Sequence, residues 1–303
     1  MSGESDVPPA LFLSHLIGLR QSVVAPTHMI DSHHHLWRYS AAEYDWIPPG
    51  SPLAQDQLLS QLETATTTAK VDGTIVVQAR QILEESDWLL SLADQSEIIA
   101  GVVGWVPLIC PEVGNDLARL AAQPKLKGVR HVLQGEPDEY FLREDFHQGL
   151  ALLPDLDLRY DLLLFQRQLP VAIQLVDRQP DLGIIIDHLA KPEIRKGRID
   201  PAWKAGMTEL AKRDNLLGVK ISGMVNEVLD PEIDEPTLRA YFEETLALFG
   251  PDRVMFGTDW PVCLLRIDSY QAWAEMVRSF VAELTTDEQD AILHDNAVRI
   301  YGL

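Results

Sequence analysis

Positive charge is scarce in this sequence. Lysine and arginine together number 25 against 46 aspartates and glutamates, a formal net charge of −21. A nucleic-acid backbone is bound by neutralising its phosphates, so nucleic acid is excluded as a natural partner, and anionic membranes are disfavoured for the same reason. Cysteine is scarcer still. Cys110 and Cys263 stand far apart and read as free thiols in a reducing, cytoplasmic setting. No apolar run approaches the roughly 18 residues that span a bilayer. The stretch 10–19 comes nearest to a signal core, but Glu4 and Asp6 precede it where a signal peptide carries basic residues, so residues 1–28 read as a loosely ordered N-terminal extension. There is no Gly-x-Gly-x-x-Gly turn after the first strand pattern, which removes the dinucleotide-binding sheet. There is no Gly-x-Ser-x-Gly elbow, and neither cysteine has an adjacent base. Cys263 reads as a small apolar packing residue.

What remains is a chain well supplied for a core: 46% of its 303 residues are hydrophobic and 23% charged. Near-continuous apolar runs, the signature of strands buried on both faces, occur at 28–32, 73–78, 98–106, 126–132, 170–174, 183–187, 216–221 and 253–257. Between them lie stretches with apolar residues at helical spacing, such as 58–62, 88–93, 150–164 and 237–248. Eight strands alternating with helices, without internal repeat or low-complexity linker, predict an α/β fold: one (β/α)8 TIM barrel over 29–303. An open doubly wound sheet is the runner-up.

The run His33-His34-His35 carries the most chemistry. Strand alternation puts His33 and His35 on one face and His34 on the other. In a barrel, functional groups gather at the C-terminal strand ends. Reading those ends gives His33 and His35, Gln78, Trp105, Arg130 with His131, Gln174, Asp187 with His188, Lys220 with Ser222, and Asp259 with Trp260. Nearly every strand delivers a polar or aromatic group to one rim. His33, His35, His188 and Asp259 form the expected catalytic core. Three imidazoles and a carboxylate are also a donor set for one divalent cation, zinc foremost. Arg130, His131, Gln78 and Lys220 are candidates to bind substrate, and Trp37, Trp105 and Trp260 to form an apolar wall against it. Each has a bland alternative: an ion pair for Arg130, scaffold for Lys220, backbone satisfaction for Gln78, core packing for the tryptophans. The loop from Tyr39 to Asp56, rich in Trp, Tyr and Pro, is expected to act as a lid.

Four stretches, Ile30-Asp31-Ser32-His33-His34-His35-Leu36-Trp37, Gly128-Val129-Arg130-His131-Val132-Leu133-Gln134, Ile186-Asp187-His188-Leu189-Ala190-Lys191-Pro192 and Met255 through Cys263, resemble in order the amidohydrolase-2 branch of the amidohydrolase superfamily. The nearest group is its lactonases, of the fuconolactonase, rhamnonolactonase and pyrone-dicarboxylate lactonase type. The resemblance runs from about Met29 to Leu303 and implies a distorted TIM barrel that hydrolyses a cyclic ester, most simply a sugar lactone. It makes His33 and His35 the His-x-His pair, His188 the strand-six histidine and Asp259 the strand-eight aspartate. The chain departs from two-metal members of the superfamily: no lysine stands at the end of strand four and Gln174, not histidine, is read at the end of strand five. One divalent ion or none is therefore implied.

The expected mechanism has Asp259 accept a proton from water as it attacks the lactone carbonyl, with the imidazoles stabilising the developing oxyanion. The alternatives are a metal-dependent decarboxylase of an aromatic or muconate-type acid and a non-catalytic small-molecule-binding barrel. The expected partner is a small lactone; self-association stays open.

Overall fold

The computed structural model describes residues 28–303; the extension expected over 1–28 lies, except for His28, outside the described residues. Eight parallel strands follow one another around the sheet in sequence order. They are β1 Ile30–His34, β2 Gly73–Val77, β3 Ile99–Gly104, β4 Leu126–His131, β5 Arg159–Leu162, β6 Ile184–Ile186, β7 Leu216–Lys220 and β8 Val254–Met255. The seam between β1 and β8 is closed by single bonds: the Ser32 N–H donates to the Phe256 carbonyl (3.0 Å) and the His35 N–H to the Trp260 carbonyl (2.7 Å). The result is the predicted (β/α)8 barrel.

Outer helices follow each strand: α1 Leu59–Ala69, α2 Leu83–Asp94, α3 Val113–Ala121, α4 Glu144–Leu150, α5 Leu169–Asp177, α6 Pro201–Leu210, α7 Glu235–Phe249 and α8 Tyr270–Val281. Their starts are written in the sequence. Proline occupies the first turn of α5, α6 and α7, where its missing N–H costs nothing. Asp200, Asp234 and Ser269 cap α6, α7 and α8 by accepting first-turn N–H groups. Two short helices, α9 Thr286–Asp290 and α10 Asn296–Tyr301, complete the chain. The second of these packs Ala297, Ile300 and Tyr301 against Ile30, Ile75, Val77, Val103, Ile185 and Met255, closing the barrel at the N-terminal strand ends.

One strand differs from expectation. The run 170–174 is the body of α5, and β5 lies in 150–164, where a helix is expected. Two local features account for the exchange. Pro154 and a left-handed Asp157 (φ 55°) end the helical path after α4. Beyond them Leu158, Tyr160 and Leu162 alternate at strand spacing, while Pro170 opens α5 in the position prolines favour. Gln174 is consequently exposed on an outer helix and leaves the list of rim residues. Asp161 on β5, buried in the interior, takes its place.

Candidate active site

The seam is also where the site is assembled. Asp31, fully buried on β1, accepts four hydrogen bonds. They come from the His33 N–H (2.9 Å), the Thr258 N–H (2.9 Å), the Thr258 hydroxyl (2.6 Å) and the Tyr270 hydroxyl (2.8 Å). Burial still pushes its carboxyl up to about 6. The Asp259 N–H then donates to the His33 carbonyl (2.8 Å), so the first and last strand ends are locked together. Gly257 allows a close approach here: a Cβ would lie 3.0 Å from the Ser222 Cβ and 3.1 Å from the His33 Cβ.

His33 and His35 share one face, as alternation predicts. His34 turns away to the Thr74 hydroxyl (3.0 Å), and burial depresses it to about 3. His33 Nδ1 lies 3.2 Å from Asp187 Oδ1, and its Nε2 lies 3.2 Å from an Arg130 N–H donor. The Asp187 carboxylate shares Nδ1 with the Lys220 ammonium, whose Nζ lies 3.3 Å from it, and the Arg130 guanidinium faces Nε2. The Val77 carbonyl, 2.7 Å from His35 Nδ1, holds the His35 ring proton there. The two Nε2 atoms face each other across 3.2 Å. Asp259 Oδ1 joins them at 3.4 Å from His35 Nε2 and 3.9 Å from His33 Nε2.

His188 completes the cluster from β6. Its Nδ1 pairs with the Ser222 hydroxyl (2.8 Å) and its Nε2 lies 3.9 Å from Asp259 Oδ1. Burial depresses His188 to about 4 and holds His33 well below the usual imidazole range, so both are neutral near pH 7. Burial raises the Asp259 carboxyl, but His188, His35 and Lys191 outweigh it and leave it below the usual carboxylate value. The loop after β7 presses on both groups. Gly223, at φ +67°, leaves the space that a Cβ would fill at 2.7 Å from His188 Nδ1 and 3.2 Å from Asp259 Oδ2. Asn226 Nδ2 stands 3.5 Å from the same oxygen.

Beneath the cluster is a floor of buried charge. Lys220 pairs with Asp161 and with Asp187 Oδ1 (3.1 Å), and Asp187 Oδ2 accepts from Arg130 (3.0 Å). Arg130 also donates to the Gln78 backbone and side-chain oxygens, while the Gln78 amide returns a bond to the Arg130 carbonyl (3.3 Å). The Tyr301 hydroxyl donates to Asp161 (2.8 Å) from α10.

Above this floor opens a cavity of about 380 Å³. His35, Arg130, His188 and Asp259 reach it, and Trp46, Ala79, Val132, Gln134, Leu163, Lys191, Val262 and Leu265 complete its wall. A larger groove of about 600 Å³ runs between α1 and α8 on the outside of the barrel; Trp260, Leu264 and Tyr270 line it together with Ser, Thr and Gln side chains, and no histidine reaches it.

Several expected contacts are corrected by this geometry. Trp37 has no exposed surface; it packs with Tyr44, Ile47 and Leu53 and donates its indole N–H to the Gln55 carbonyl, anchoring the 39–56 loop. Trp260 is buried and borders the outer groove, not the cavity. Trp105 donates its indole N–H to His131 Nδ1 (3.2 Å), and His131 stacks on Tyr140 and pairs with Glu136, so neither lines the cavity. Gln78 and Lys220 are fully buried and hold other site residues. The aromatic wall is Trp46 instead, 47% exposed on the anchored loop. Ser222 is reached as the strand-seven end residue; Gly223 and Asn226 carry no sequence pattern that marks them. Lys191 stands inside a quoted motif without an assigned role.

Comparison with known proteins gives a consistent picture. Residues 30–303 match the amidohydrolase family. The chain is 38% identical over 287 residues to an L-fucono-1,5-lactonase of Burkholderia multivorans, covering 90% of this chain and 96% of that protein. An L-fucono-1,5-lactonase of Burkholderia ambifaria is 34% identical over 251 residues, covering 82% of this chain and 86% of the relative. A crystal structure of an amidohydrolase from Burkholderia multivorans, with bound zinc, superposes with a TM-score of 0.85 at 36% identity, covering 91% of this chain and 99% of the other.

Proposed function

We propose that this chain, which belongs to the amidohydrolase family of hydrolases, opens the cyclic ester of a sugar lactone by water attack on its carbonyl. The observation that carries the reading is the convergence of His33 Nε2, His35 Nε2 and Asp259 Oδ1 on one point beside the cavity, above the floor of buried charge, with the opposite nitrogens of both rings already engaged. The similarity to fuconolactonases supplies the substrate class. Residues 29–303 then act as one catalytic body, with 1–28 preceding it.

The donor set suits a divalent cation. The Val77 carbonyl holds the His35 ring proton on the far side and leaves its Nε2 lone pair for a cation, which at His33 Nε2 would take the place of the Arg130 N–H. Zinc bonds of about 2.0–2.1 Å in tetrahedral geometry separate ligands by about 3.4 Å. The distances of 3.2, 3.4 and 3.9 Å among these three atoms surround that value. His33, His35 and Asp259 would hold the ion with His188 beside them. Bound there, it would act as a Lewis acid toward the ester carbonyl.

The protein's own groups do the rest. Asp259, ionised near neutrality, accepts the proton of the attacking water and returns it to the ring oxygen as the acyl C–O bond breaks, leaving the open hydroxy acid. The neutral His188, steadied by Ser222, hydrogen-bonds the substrate's reacting oxygens. Arg130 holds His33 and Asp187 in register. Ala79, Val132, Leu163, Val262 and Leu265 exclude water from the far side of the ring. An aldonolactone panel followed by acid release in a pH indicator, with and without chelator and with added zinc, tests substrate class and metal together. Acid release that chelation abolishes and zinc restores is expected. Release of carbon dioxide from carboxylated aromatics without lactone turnover would replace this reading with a decarboxylase.

A further inference from the structure

The segment after β6 has an unusual backbone. His188, Leu189, Ala190 and Lys191 have φ of 51°, 53°, 58° and 47°, four consecutive non-glycine residues in the left-handed region. Such residues normally occur singly, because Cβ crowds the carbonyl at about 1–2 kcal/mol each. The turn is held by bonds from the Ala190 N–H to the Asp187 carbonyl (2.9 Å) and from the Lys191 N–H to the His188 carbonyl (2.8 Å). Trp203 donates its indole N–H to the Leu189 carbonyl (2.6 Å). At about three residues per turn, positions i and i+3 fall on one side, as in any 3₁₀ geometry. Leu189 and Ala190 are accordingly buried in the core, while His188 and Lys191 both reach the cavity.

Two cations line that cavity, and their situations differ. The Arg130 guanidinium is occupied by Asp187, His33 and Gln78, and its remaining Nε–H is buried. Among the described residues, the Lys191 ammonium has one charged partner, Glu227 at 3.4 Å, and lies over the Phe165 ring at 5.7 Å. Its side chain is 18% exposed. It is therefore the cation whose N–H donors remain available to a bound molecule.

We propose that the left-handed turn exists to hold Lys191 beside His188 at the cavity, where its ammonium binds the acyl oxygens of the lactone as they gain charge and become the carboxylate of the acid product. The inference rests on the lactonase reading. Strain at a position where glycine is cheaper persists when the side chain has a task, and an ammonium held by one carboxylate keeps further N–H donors for an oxyanion.

The test measures calorimetric binding of L-fuconate, the acid formed from L-fucono-1,5-lactone, to the unaltered protein and to Lys191→Met, Lys191→Arg and Glu227→Gln, alongside lactone turnover. Lys191→Met is expected to weaken fuconate binding tenfold or more, Lys191→Arg to recover part of it, and Glu227→Gln, which keeps the ammonium, to lose much less. Equal losses in Lys191→Met and Glu227→Gln would make the ion pair merely structural and overturn the proposal, as would unchanged affinity in Lys191→Met. If the unaltered protein turns over lactones while Lys191→Met binds fuconate normally, this inference alone fails. If the unaltered protein turns over no lactone, the lactonase reading fails first.

Discussion

The floor and the wall of the cavity are built on opposite principles. In the floor, Lys220, Asp161, Asp187 and Arg130 are buried and each is paired with an opposite charge. In the wall, the pairings of Asp259 with His35 and His188 and of Lys191 with Glu227 are longer, at 3.4–3.9 Å. Buried charges that are fully matched stay put; those left partly unmatched keep valences for a ligand. The contrast separates groups that shape the site from groups left open to a bound molecule.

Replacing Asp259 by Asn strikes the wall and is expected to lower kcat by about 10²–10⁴ while the circular dichroism spectrum and melting point stay near those of the unaltered protein. Retained turnover would remove the base assignment. Lys220→Met strikes the floor instead. It leaves Asp161 in the interior with the Tyr301 hydroxyl alone, while Asp187 keeps Arg130, so urea denaturation should register a loss on the order of 3–5 kcal/mol, with activity falling because the fold fails. A stable Lys220→Met enzyme that lacks turnover would erase the distinction between the two regions.

The smallest expected effect concerns Glu85, which lies outside both. Its carboxylate accepts the N–H groups of Ala79 (3.0 Å) and Arg80 (2.7 Å) and so fixes the loop that brings Ala79 to the cavity. Burial outweighs those bonds and raises its carboxyl from 4.5 to about 7. Between these values the folded chain binds the proton more tightly than the unfolded chain, so this group makes stability fall as pH rises from about 4.5 to about 7 and adds no further change above. Glu85→Gln should flatten that part of the melting-temperature profile, measured by calorimetry against the unaltered protein. An identical slope would show that the carboxyl titrates normally.

How far the sequence discloses this arrangement depends on the kind of force involved. Strands buried on two faces announce themselves as apolar runs, and seven of the eight expected runs hold a strand; β5 escapes because Arg159 and Asp161 interrupt its apolar character while α5 is apolar enough to imitate a strand. His33, His35, His188 and Asp259 meet because strand ends in a barrel must meet. The tryptophans were not readable in this way. Trp37 and Trp46 are nine residues apart on the same segment, and only packing decides which ring is sealed and which faces the cavity. Lys191 is hidden for another reason: nothing in a residue's identity signals a left-handed turn made without glycine.

The bonds from Thr258 to Asp31 bridge 227 positions of the chain. Bringing such distant partners together is entropically costly and slows the self-organisation of a polypeptide. Because those bonds also set His33 against Asp259, a half-wound barrel has no reactive centre at all. Competence arrives in a single stroke, when the circle of strands joins its own beginning.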